Sequence, residues 1–280
     1  MVSAVIMALQ IFAIAIVAGF IGSLLGLGGG IIITPVLTLL FGLDIRYAIG
    51  ASIVSVIATS SGAAVAYIKD RITNIRIGMF LEIGTTLGAI TGAFLGGIIN
   101  AKYLYIVFGV LLLYSAVMML KKVGSELPEN THTHPMAQKL ALNGSYYDKV
   151  LDRQVDYQVD GVYGGLGMMY GAGVISGLLG IGSGIFKVMA MDLVMKLPMK
   201  VSSATSNFMI GVTAAASAGV YFLRGDIDPK IAAPVALGVL MGATVGTRVM
   251  EHLHSKTLRI IFVPVLAIVS IQMIMKGVKL

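Results

Sequence analysis

Gly22-Ser23-Leu24-Leu25-Gly26-Leu27-Gly28-Gly29-Gly30 leads through Ile31 to Thr34, Pro35, Val36 and Leu37, inside residues 1–43, which carry no charge. Wound as one α-helix, that run would be about 64 Å long at 1.5 Å per residue, roughly twice a bilayer's hydrocarbon thickness. It must therefore break, and the cluster of Gly26, Gly28, Gly29 and Gly30 is where. The pattern predicts a helix over 3–24, a glycine break, and a helix over 31–42 too short to span comfortably. Further apolar segments follow at 47–68, 77–99 and 103–120.

The same stretch returns as Gly177-Leu178-Leu179-Gly180-Ile181-Gly182-Ser183-Gly184. At a constant offset of 154 residues, Gly19 matches Gly173, Gly26 matches Gly180, Gly28 matches Gly182 and Gly30 matches Gly184. The register continues through Ser52/Ser206, Thr59/Thr213, Tyr67/Tyr221, Gly88/Gly242, Lys102/Lys256 and Phe108/Phe262. An offset kept over about ninety residues without drift marks an internal repeat. The second copy predicts segments at 161–181, 185–196 (short), 200–223, 230–250 and 257–275. Residues 1–120 and 161–280 are thus two membrane repeats of five segments each, and 121–160, rich in Lys, Glu, Asp and Arg, is a polar connector.

Composition agrees. Of 280 residues 57% are hydrophobic and 12% charged, about half the charge of a soluble domain. Mean hydropathy is +0.93. These values exclude a disordered chain and a soluble domain, and the absence of cysteine removes disulfides and thiolate chemistry. The 35 glycines suit close helix packing in lipid. The net charge of +7 is scattered between apolar runs, which points to membrane topology rather than nucleic acid. The first basic residue is Arg46, so a cleaved signal peptide is not expected.

Topology follows from the basic residues. Lys69, Arg71 and Arg76 lie in one loop and Lys121 and Lys122 end the fifth segment, against Arg46 and Lys102 on the opposite side. The connector is therefore predicted to be cytoplasmic. In the second half the count is five against four, almost a tie. An odd number of segments per half inverts the second copy and places both chain ends outside. The fold class is an all-α polytopic membrane protein made of two inverted repeats, each with a glycine-broken helix and a short half-helix.

Glycine breaks at matching positions of two repeats point to a transporter's substrate site. Unwound backbone at membrane depth is tolerated only in a protein interior or a cavity. The predicted short helices would aim N-terminal N–H groups at the breaks, Gly28, Gly29, Gly30 and Gly182, Ser183, Gly184, favouring an anion. Tight packing alone is the competing explanation. Gly28 and Gly182 are expected to need positive φ or to touch solute. A nucleotide loop is the poorer reading, since neither copy ends in Gly-Lys-Ser/Thr.

Lys187 falls just beyond the second break, where the first half has Ile33. It either attracts the anion, pairs with Asp192, or snorkels to an interface. Ser52, Ser206 and Asn207 offer hydroxyl and amide donors, or serve as interhelical hydrogen-bond formers. Tyr67 and Tyr221 read as aromatic-belt anchors, and Glu82 as a proton carrier or an interface residue. His132, His134, His252 and His254 come in i, i+2 pairs without carboxylate or cysteine partners and read as solvated loop residues, so no metal or cofactor is expected.

The glycine–proline stretch, with Ala48-Ile49-Gly50-Ala51-Ser52 and the second copy's Ala204-Thr205-Ser206-Asn207, resembles the TauE/SafE family of sulfite and organosulfonate exporters. The resemblance covers both halves and omits the connector. It implies secondary transport of small sulfur-containing anions such as sulfite, sulfoacetate or related sulfonates, with proton coupling in some members. The chain departs from that pattern at Met189, where the first copy has Pro35, and in its long connector. The expected partners are that solute and the lipid bilayer, with a homo-oligomer left open and no nucleic acid. An uptake permease or channel on the same fold, and a membrane-embedded enzyme, are the competing functions. The enzyme lacks a histidine or cysteine in the interior of any segment.

Overall fold

The computed structural model describes residues 2–25, 29–69, 72–121, 134–148, 152–250 and 255–280. The first half holds α1 (Val2–Leu25), α2 (Gly30–Leu39), α3 (Ile45–Lys69), α4 (Ile75–Ile98) and α5 (Ala101–Lys121). The second holds α7 (Val162–Leu179), α8 (Gly184–Met189), α9 (Met199–Leu223), α10 (Pro229–Met250) and α11 (Ser255–Lys279). Among the described residues, six helices are long and apolar enough to cross a membrane. The chain is an all-α polytopic membrane protein, its helices ending within a few residues of the sequence reading.

The short helices differ. α2 is α-helical throughout, with Pro35 inside it. α8 gives way after Met189 to a π-helical turn over Ala190–Val194. Met189 is the repeat mate of Pro35, so the departure noted in the sequence falls where the winding changes. π-turns of this kind concentrate at functional positions.

Packing repeats with the sequence. A Cβ on Gly88 or Gly92 of α4 would overlap the carbonyl of Tyr170 or Val174 of α7. One repeat on, a Cβ on Gly242 or Gly246 of α10 would overlap the carbonyl of Ile16 or Phe20 of α1, the mates of Tyr170 and Val174. These glycines let backbones touch where any side chain would hold them apart. Because the contacts advance together along both helices, α4 runs parallel to α7 and α10 parallel to α1. Each half thus lends its fourth helix to the other. One bundle comprises α1, α2, α3 and α10, its counterpart α7, α8, α9 and α4, with α3 against α9 between them and α5 against α11 alongside.

The connector is more structured than its composition suggests. It forms α6 (Pro135–Lys139) and the antiparallel strands β1 (Gly144–Asp148) and β2 (Arg153–Tyr157). The His134 ring is no free loop group: its Nδ1 accepts the Met136 N–H and caps α6. Ala137, Leu142, Tyr146, Val155 and Tyr157 join Ile77, Leu81 and Met191 in one apolar cluster, which seats the connector on the end of the second bundle. His132, His252 and His254 lie outside the described residues. Asn74 ties the pieces together. Its Oδ1 accepts the Ile77 N–H at the start of α4, its Nδ2 donates to Leu142 O and Tyr157 Oη, and its backbone N–H donates to Thr205 on α9.

Candidate functional site

The two glycine breaks meet. A Cβ on Gly30 would lie 2.5 Å from Ser52 Oγ and 2.7 Å from the carbonyl oxygen of Gly180. Ser52, fully buried, donates to that same carbonyl at 2.7 Å. Ser52 of the first half therefore pins the start of α2 against the second half's break. Gly29 donates its N–H to Thr59 Oγ1 at 3.3 Å. Gly28 lies outside the described residues.

The second break turns through left-handed backbone at Gly180 (φ +66°), Gly182 (φ +72°) and Ser183 (φ +49°). Gly182 thus has the positive φ expected of it, and a Cβ there would also lie 2.8 Å from Ile210 and 2.9 Å from Val56. Ser206 Oγ donates to Gly184 O at 3.2 Å, and Ser60 Oγ donates to Asn207 O at 2.6 Å across the bundle interface. Ser183 Oγ is buried without a hydrogen-bond partner. Such a group calls for an occupant or a role.

Lys187 does not snorkel. It is fully buried, and its ammonium donates to Thr213 Oγ1 at 2.6 Å. Thr213 lies 2.6 Å from Glu82 Oε1 and 2.9 Å from Met209 O, and its single hydroxyl hydrogen serves one of the two. Glu82 is buried rather than interfacial, and its Oε1 also accepts from Thr86. Its second oxygen, Oε2, is buried without a partner. Two 2.6 Å contacts on one oxygen hold the ammonium and carboxylate no more than about 5 Å apart. Opposite charges at that distance attract by about 3 kcal/mol at an effective dielectric of 20.

This chain breaks the repeat. Thr59 and Thr213 are mates, and the hydroxyl of each lies within hydrogen-bond distance of the carbonyl four residues earlier. Around Thr59, however, the mates of Lys187 and Glu82 are Ile33 and Ala236. The charged pair belongs to one bundle alone.

Tyr221 is no belt anchor. It is buried, and its hydroxyl donates to Gly177 O at 2.6 Å, just before the second break. Arg224 lies over its ring and pairs with Asp226. The side chain of Tyr67, its mate, lies outside the described residues.

Comparison with known proteins adds an independent line. The family described as Sulfite exporter TauE/SafE matches residues 11–273. The probable membrane transporter protein YunE of Bacillus subtilis is 28% identical over 272 residues, 95% of this chain and 96% of that protein. The probable membrane transporter protein YdhB of the same organism is 27% identical over 86% of this chain and 87% of its own. The probable membrane transporter protein MJ0441 of Methanocaldococcus jannaschii is 23% identical over 94% and 93%. No solved structure gives a significant match.

Proposed function

This chain belongs to the sulfite exporter TauE/SafE family, and from that premise we propose that it exports small sulfur-containing oxyanions by alternating access. It is a multi-pass membrane protein whose relatives are described as membrane transporters. The solutes are sulfite, sulfoacetate or related organosulfonates, bound where the glycine breaks meet. The observation that carries this reading is the Gly30–Ser52–Gly180 contact, which joins two breaks from opposite halves at one point. Around it stand the unpartnered Ser183 hydroxyl, the Asn207 amide, and Ser52 and Ser206, whose hydroxyls would exchange the carbonyls of Gly180 and Gly184 for the solute, while Lys187 supplies a positive charge. The moving bodies are the two mixed bundles rather than the two halves of the sequence, because α4 and α10 are exchanged between halves.

Helix directions support an inverted repeat. α4 runs with α7, α1 runs with α10, and α9 runs with α4 through contacts that keep a separation of 131 residues. The five residues 224–228 turn α9 back into α10. On this reading the mates α1 and α7 run in opposite senses. Oriented by its basic loops, the connector faces the cytoplasm and both chain ends face out. Cysteine placed at Ser3 should react with an impermeant thiol reagent in intact cells, and cysteine at exposed Ser145 of β1 should not. The reverse pattern overturns this orientation.

A thermal-shift screen tests the solute class. Sulfite and sulfonates should stabilise the purified protein by about 2.7 kcal/mol at a hundred times their Kd. The chain has no cysteine, so sulfite has no thiol or disulfide to react with. Stabilisation by inorganic cations or neutral sugars, with none from these anions, would replace the reading.

A further inference from the structure

We propose that Glu82 is the resident counter-anion of Lys187, and that a solute anion takes its place only when Glu82 takes up a proton. The inference rests on the anion-carrier reading and adds its coupling. Lys187 is fully buried and Glu82 nearly so, yet they do not touch directly: Thr213 stands between them, accepting from one and within hydrogen-bond distance of the other. A cation in a membrane interior needs a partner, and in the unloaded protein that partner is the Glu82 carboxylate.

Charge arithmetic fixes the rest. Unloaded, Lys187 and Glu82 sum to zero. A monoanion entering beside Lys187 would leave a buried net charge of minus one, with two anions competing for one cation. A single proton moved from bulk water to Glu82 restores neutrality, and no covalent bond other than O–H forms or breaks. The proton has a vacant place to land. Glu82 Oε2 carries no hydrogen bond, so protonation there breaks none, whereas Oε1 is engaged by Thr213 and Thr86.

Thr213 then acts as the relay. With Glu82 ionised, its hydroxyl hydrogen is drawn to Oε1. With Glu82 neutral, it returns to the Met209 carbonyl, already 2.9 Å away, and Lys187 is released toward the solute. The other titratable side chains that the elements packed around α4 bring toward it are Tyr163 and Tyr170 of α7, Lys200 and Tyr221 of α9, Arg224, which donates to Ala93 O of α4, and Tyr146 and Tyr157 of the connector's hairpin, with Arg76 on α4 itself and Asp192 on the π-turn beside α7. Lys187 is joined to the Glu82 carboxylate through the Thr213 hydroxyl by two 2.6 Å contacts. Because Ile33 and Ala236 stand at the mates of this pair, the matching positions of the other bundle hold no titratable group. A monoanion and a proton would move together without net charge, and the direction of flow would follow the product of their activities.

The test is a proton count. Methanesulfonate and ethanesulfonate each hold a single negative charge between about pH 6 and 8, so neither probe carries the proton itself. Calorimetric titration of the detergent-solubilised full chain, in buffers of different ionisation enthalpy, should find about one proton taken up per anion bound. Where Glu82 starts ionised, affinity should fall about tenfold for each unit rise in pH. Glu82→Gln should take up no proton and lose most of that pH dependence. Anion binding by wild type without proton uptake, or equal uptake by Glu82→Gln, overturns the coupling and leaves the carrier standing. Failure of wild type to bind either anion removes the carrier reading and the coupling with it. The wild-type count is decisive even if the variant does not fold.

Discussion

Gly30→Val is expected to abolish anion transport while Gly219→Ala transports like wild type. At Gly30 even the first added carbon would lie 2.5 Å from Ser52 Oγ, 2.7 Å from Gly180 O and 2.8 Å from Val56. The serine cannot swing away without giving up its bond to Gly180, and the carbonyl is backbone. The valine must therefore drive α2 and the second break apart. Overpacking of this kind costs about 1–3 kcal/mol of stability, which a folded membrane protein can survive. The site cannot survive it, because its donors come from both sides of the contact. Gly219, on the exposed side of α9, has open space around it and an ordinary φ. Initial rates of sulfite flux, normalised to protein in the membrane, separate the two variants. A Gly30→Val protein that transports normally would make the glycine contact a packing device and move the solute path elsewhere.

Ser206→Asp should weaken anion binding by about a hundredfold, whereas Ser206→Asn should change it little. Ser206 is fully buried on α9 and donates to Gly184 O at the end of the second break. A carboxylate about 5 Å from a bound anion repels it by about 3 kcal/mol at an effective dielectric of 20, which is about two decades in Kd. The asparagine keeps a neutral donor of similar size and controls for crowding. Calorimetry with sulfite on the three proteins reads the difference. Equal affinities for wild type and Ser206→Asp would remove Ser206 from the site.

Much of this arrangement is legible in the chain before any coordinates. Charge-free lengths and glycine clusters fix the helices, because lipid forbids unsatisfied backbone and so forces breaks to announce themselves. The offset of 154 residues reappears in the structure as matched glycine–carbonyl contacts. Three features were not legible. The separation of 131 residues that sets Glu82 beside Thr213 is a property of packed helices, and no sequence pattern carries it. The burial of Tyr221 was hidden because a tyrosine at a helix end beside a basic loop looks the same whether it faces lipid or a neighbouring carbonyl. The connector's hairpin was hidden because its apolar residues, Tyr146, Val155 and Tyr157, are too sparse to stand out among charges until they meet α4. One further signal lies in the sequence itself. Lys187 and Glu82 both sit in otherwise apolar segments where their repeat mates are uncharged, and two such exceptions of opposite sign in one protein invite pairing.

The central claim is that a sulfur oxyanion crosses the membrane through the meeting point of the two breaks. Counterflow in liposomes containing only the purified chain tests it most directly. Vesicles loaded with unlabelled sulfite or sulfoacetate should transiently accumulate the same anion in radiolabelled form from outside, and vesicles bearing Gly30→Val should not. Absence of accumulation with wild type for every sulfur oxyanion tried, or accumulation undiminished by Gly30→Val, would contradict the account.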